Sequence, residues 1–257
     1  MVIFIKTKGL PEIFKYISNF YQKEFRLPYL LLIILLMGFC IYLNYWHGLE
    51  TKYVAGSDLK LRNFFGYYLL YFIPFATAFF FQFLFYKDIG WYKNHWFWII
   101  LILAPAFFSF RVNFDFHQPF IQTVWSGDEQ IFWIRSLNWI VRVFVVLIPV
   151  ILLWWIKDRS NQAFYGTAAL KHVKPYLIML LIMVPLIALA STQGDFLSMY
   201  PKAKFLEDLN LPSKKLHYFI YELCYGFDFV SIEFFFRGFL ILSLAKICGP
   251  QCIIPVA

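Results

Sequence analysis

Six apolar runs constrain this chain more than anything else in it: about residues 27–46, 64–86, 96–110, 137–156, 175–192 and 216–245. A helix rises 1.5 Å per residue, so about 20 apolar residues cross the ~30 Å hydrocarbon core of a bilayer. Most of the runs reach that length. Apolar residues make up 61% of the 257 positions and charged ones only 15%, against about 25% charged in a soluble domain. The expected fold is therefore all-α, a polytopic transmembrane bundle of about six spanning helices with an N-terminal interfacial helix.

Three regions follow from the pattern. Residues 1–26 form an amphipathic interfacial segment, 27–213 carry transmembrane helices one to five with their loops, and 214–257 hold a polar-studded helix and the start of the next. Within the first region, Pro11 suits a first helical turn. Ile13, Phe14, Ile17, Phe20, Tyr21 and Phe25 recur at spacings of three and four, with Lys15, Lys23 and Glu24 on other faces. Such a helix either lies on the membrane or packs beneath the bundle.

The net charge of +8 does not indicate nucleic acid. The basic residues are scattered among loops and helix flanks, with no basic face interleaved with stacking aromatics. A lipid bilayer with anionic headgroups accounts for them better, and Tyr45-Trp46, Trp91-Tyr92, Trp96 and Trp154-Trp155 sit where interfacial aromatics collect. With the N-terminus inside, cytoplasmic segments hold eleven Lys and Arg against nine outside. That bias points to a cytoplasmic N-terminus in a multi-pass membrane protein. No cleavable signal peptide is expected, since no small-x-small site follows the first run.

Four cysteines (Cys40, Cys224, Cys248 and Cys252) form no disulfide framework. Three lie in or beside apolar runs as small hydrophobes, and Cys248-Gly-Pro-Gln-Cys252 lacks the second ligand pair of a zinc site. His47, His95, His172 and His217 each sit at a membrane edge without a partner at ligand spacing. Asp115 and His117 read as parts of a solvated loop over 111–136.

Chemistry concentrates in the last run. Glu233 and Arg237 stand four residues apart, one helical turn, inside an apolar stretch. Charges there cost about 2.5–3.5 kcal/mol each at the centre of a spanning helix. On a continuous helix Glu222, Gly226, Phe229, Glu233 and Arg237 share a stripe, which is expected to face the bundle interior. Asp228 points elsewhere and needs either a helix break near Gly226 or a donor from another helix. Arg142 is expected near its helix's start, either snorkelling to the headgroups or paired with a buried group such as Glu222.

The segment Glu233-Phe-Phe-Phe-Arg237-Gly238-Phe239-Leu240 resembles the first motif of the CAAX-protease and bacteriocin-processing family of intramembrane metalloproteases. The family pattern is two glutamates, three mostly apolar residues, then Arg-Gly. The resemblance covers about 30 residues, and upstream of it only hydropathy is comparable. It implies peptide hydrolysis within the bilayer on a peptide or protein substrate, with zinc or another divalent metal in the complete protein. Glu233 matches the second glutamate and Arg237 the motif arginine, while Ile232 stands where the first glutamate, the usual base, belongs. The family's later His motifs are absent and no metal ligand is identifiable in this chain, so the expectation is that the protein continues beyond Ala257. Two other readings stand beside this one. One is a catalytically inactive membrane scaffold of the same fold that binds a partner. The other is a small transporter with Arg142, Glu222, Asp228 and Glu233 along a polar path.

Overall fold

A computed structural model describes residues 10–54, 59–86, 90–160, 163–165, 167 and 174–256. Lys87, Lys171, His172, Ala257 and the first nine positions of the interfacial segment lie outside the described residues, as do the side chains of Ile13 and Lys174.

The described chain is helical, with no strand among the described residues. An amphipathic helix α1 (Leu10–Lys23) leads into α2 (Leu27–His47), α3 (Lys60–Phe85), α4 (His95–Asn113) and a short α5 (Gln118–Val124). Then follow α6 (Gly127–Leu153), α7 (Lys174–Ala190), α8 (Gly194–Met199), α9 (Lys214–Glu233), α10 (Ile241–Cys248) and α11 (Ile253–Val256). Between α9 and α10 the helix widens into a π-helical segment, Phe234–Leu240.

Four of these stretches are long and apolar enough to cross a membrane: Leu27–His47, Lys60–Phe85, His95–Val124 and Gly127–Asp158. The apolar part of α7, Leu177–Ala190, is shorter. The expectation of about six spans is thus generous, because the last run carries several charges and the fifth is short. Large apolar side chains cover the outside, Leu35 at 69% exposure and Leu181 at 68% among them. That is the inverse of a water-soluble surface, where apolar patches stay small. The protein is read here as a membrane protein on that basis.

Local chemistry explains the helix ends. Gly48 closes α2 in the left-handed conformation at φ 63°, which glycine adopts without a Cβ penalty. The Asn94 side chain accepts a hydrogen bond from the Trp96 amide at 3.0 Å and so caps α4. Pro74, Pro105, Pro149 and Pro185 lie inside helices, as membrane helices tolerate when neighbours satisfy the freed backbone.

The core lies where α3, α4 and α6 meet the π segment and α10. Phe79, Phe97, Ile100, Val146, Phe235, Phe239 and Leu244 are all at or below 1% exposure there. Direct bonds fix the helix pairs. Ser109 on α4 donates to the Phe64 carbonyl at 2.5 Å, and Tyr29 on α2 donates to the Ala78 carbonyl at 3.3 Å. Helices α6 and α9 run side by side in the same direction. Asp128 accepts the Asn210 amide at 2.8 Å, Phe132 meets His217 and Trp139 meets Tyr225.

The region expected as a loop over 111–136 is mostly helix. α4 continues to Asn113, α5 follows after four residues, and α6 already begins at Gly127. Asp115 in the turn pairs with Lys60 at 2.7 Å. Helix α1 keeps Phe14, Ile17 and Tyr21 exposed while Phe20 and Phe25 are half-buried, so part of its apolar face is free to lie on lipid.

Candidate functional site

The polar residues of the last helix divide between two faces. Tyr221, Cys224, Asp228 and Ser231 are buried and continue into Phe235 of the π segment, a spacing of three and four that marks the packed side of α9. Glu222, Gly226, Phe229, Glu233 and Arg237 are all exposed. The expectation that this charged stripe faces the bundle interior is therefore corrected. The buried face is the one that meets other helices: Asp228 pairs with Arg111 of α4, and α6 packs alongside through aromatic contacts. The helix also runs unbroken through Gly226 and Asp228. Its irregularity comes later, at Phe234–Leu240.

On the exposed face Glu233 Oε2 and Arg237 Nε lie 2.7 Å apart, with side chains 56% and 77% exposed. The pair spans the junction where α-helix becomes π-helix. Such widened turns recur at functional sites because they re-aim side chains. An ion pair this open adds little in water, yet facing hydrocarbon it would lack the solvent that charges require.

Gly238 follows the arginine for a steric reason. A Cβ at Gly238 would meet the Tyr165 carbonyl oxygen at 2.9 Å. Tyr165 itself holds a positive φ of 24°, unusual for a bulky residue, and is only 2% exposed. Its hydroxyl donates to Asp158 Oδ2 at 3.0 Å, and burial raises the phenol above its ordinary value, keeping it a donor. Asp158 also lies 3.6 Å from Lys246 Nζ. A strap from the end of α6 is thus pinned across the back of the π segment. Gly238→Ala should destabilise the protein by about 1–3 kcal/mol through overpacking. Gly226→Ala, with nothing within 4 Å of its Cβ position, should stabilise it by up to about 1 kcal/mol. Thermal unfolding of the two variants, expected to shift in opposite directions, checks both.

The buried face holds a second cluster. Arg111 Nη2 and Asp228 Oδ2 are 2.5 Å apart, with side chains 10% and 3% exposed. Of the two solutions expected for Asp228, a helix break or a donor from another helix, the structure shows the donor. Arg142 lies close enough to feel both groups electrostatically, and its guanidinium stacks over Trp139 at 4.9 Å. Two expectations for Arg142 are corrected. It stands in the middle of α6 rather than near its start, because that helix begins ten residues before the apolar run. Nor is Glu222 its partner, since Glu222 faces outward. Arg142 and Asp228 therefore share no path with Glu222 and Glu233.

Arg111 is the residue that sequence reasoning missed. It was counted as a loop charge because the third apolar run stops at Phe110, whereas the helix continues past it. The available signal was the unmatched carboxylate of Asp228, for which a cation from another helix was one of two solutions.

Cys248 and Cys252 are free and buried. Burial raises both thiols, Cys252 to about 12, so at pH 8 on the order of one Cys252 in ten thousand is thiolate. Maleimide should label these two only after unfolding, as intact mass before and after denaturation would report.

Among the described residues no group of three or more His, Cys, Asp or Glu side chains is placed to hold a metal ion. A catalytic zinc takes three protein ligands, and Glu233 with Arg237 offers a single carboxylate. The residues present do not fit that ion. No family model matches the chain, and no curated protein or solved structure matches it either.

Proposed function

We propose that this chain carries the Glu–Arg motif of a membrane-embedded peptide hydrolase of the CAAX-protease kind, in a prokaryotic plasma membrane with its N-terminus cytoplasmic. The observation that carries the reading is the Glu233–Arg237 pair, 2.7 Å apart on the open face of a π-helical turn. Charges at membrane depth need a polar counterpart, and a peptide backbone together with water supplies one.

In this reading Glu233 takes a proton from water as the water oxygen bonds to the scissile carbonyl carbon. The C–N bond then breaks, and Glu233 returns the proton to the leaving amine. Arg237 orients the carboxylate, and its remaining N–H groups are the donors available for the charge that gathers on the carbonyl oxygen. The test is cleavage of a membrane-embedded reporter peptide by the full protein in proteoliposomes. Turnover by wild type that disappears in Glu233→Gln supports the reading, and equal turnover in both ends it.

A second reading is a partner-binding scaffold of the same fold. It is favoured by Ile232 at the position of the base and by the lone carboxylate at Glu233. A scaffold cleaves no reporter, with or without Glu233.

A further inference from the structure

The outward face of α9 carries a regular series. Leu216, Phe219, Leu223, Gly226, Val230 and Glu233 follow one another at alternating spacings of three and four, and Arg237 continues them. All of these residues are exposed. A seven-residue repeat over two turns is the seam along which two helices cross with a left-handed twist. Here it runs for about three heptads.

The face lies at membrane depth, because α9 runs alongside α6 and α6 belongs to a stretch long and apolar enough to span. Lipid can cover Leu216, Phe219, Leu223 and Val230, but it gives Glu233 and Arg237 no polar partner beyond each other. Gly226 adds a separate observation. Nothing lies within 4 Å of where its Cβ would be, so packing inside this chain does not call for glycine, which weakens a helix interior. A second helix in close contact does call for it, since small residues let membrane helices approach.

We propose that this face joins two copies of the chain, α9 against α9, as a parallel pair about a two-fold axis along the membrane normal. Copies inserted in one orientation that share the same face are related by such an axis. Charge complementarity selects a second copy over a different partner. Within one chain Arg237 engages Glu233 through Nε, and the rest of its exposed guanidinium is a fork of donors for a second carboxylate. Across the axis each Arg237 meets Glu233 of the other copy, so the four charges close on one another away from lipid. A peptide meets the same two residues in the reading above, so peptide and second copy compete for this face. Dilute detergent, which separates the copies, returns the open pair.

Energy transfer between donor-tagged and acceptor-tagged full chains in phosphatidylcholine vesicles, followed as added lipid dilutes the protein, tests the dimer. The expected transfer exceeds that of randomly placed chains and falls with dilution as a monomer–dimer equilibrium does. Glu233→Arg and Arg237→Glu each set like charges against like, and each should weaken association at least about tenfold, the loss of a charged hydrogen bond. Both variants keep the fold, because an open pair adds little to it. Mixing donor-tagged Glu233→Arg with acceptor-tagged Arg237→Glu should restore association, since every arginine then faces a glutamate. Gly226→Leu, for which the single chain has room, should also weaken it. Leu181→Trp, on the exposed surface of α7, should leave it unchanged. Transfer no greater than random overturns the proposal. So does wild-type association by the charge variants or by Gly226→Leu, or a mixture that associates no better than its components. Cleavage enters none of these readouts, so the dimer and the hydrolase reading stand or fall separately.

Discussion

Asp228→Asn is expected to lower stability by about 3–5 kcal/mol, the cost of leaving one partner of a buried ion pair alone. The pair lies 2.5 Å apart with both side chains at or below 10% exposure, which leaves little solvent to restore solvation. Removing the carboxylate leaves Arg111 buried beside a second guanidinium, Arg142. The loss therefore includes repulsion between like charges as well as a missing attraction. At roughly 2–4 °C per kcal/mol for a chain of this size, the midpoint of thermal unfolding should fall by about 6–20 °C. Removing both partners together in R111M/D228L should cost far less, because apolar residues of similar volume avoid the desolvation penalty. If Asp228→Asn unfolds at the wild-type temperature, the pair does not hold α4 against α9.

Glu233→Gln is expected to lower peptide cleavage by about 10²–10⁴-fold, the usual contribution of a positioned general base. The substitution keeps side-chain size and leaves Arg237 with a neutral acceptor. Stability should change little, because the pair is largely open, and open pairs contribute about 0–1 kcal/mol. A large rate loss with an unchanged unfolding midpoint is the signature of a chemical role. A stability loss with unchanged turnover would instead make the pair a structural clasp. The two ion pairs of this region thus predict opposite phenotypes, although their carboxylates stand only five residues apart on one helix.

The strap over Gly238 is consistent with this division. A glycine after the motif arginine admits the Tyr165 carbonyl against the helix, and Tyr165 is tied to Asp158. The π segment that carries Arg237 is therefore supported from behind and open in front. That arrangement suits a group meant to meet something outside the helix core, since precise sites stand on rigid elements.

Much was legible in the sequence by itself. It determined that the chain is helical, where its apolar helices run, and that Asp228 needed either a helix break or a donor from a different helix. Each depends on local quantities: the mean hydropathy of twenty neighbouring residues, or a carboxylate with no partner one turn away. Only the tertiary structure decided that Glu222, Glu233 and Arg237 face outward while Asp228 faces Arg111 and Arg142. In a water-soluble helix the polar stripe marks the outside, but in lipid most residues are apolar and both faces read alike. The buried face of α9 was set by its partners, Arg111 of α4 on Asp228 and α6 along its first half. Close packing is a property of two surfaces together, and no single stretch of chain contains it.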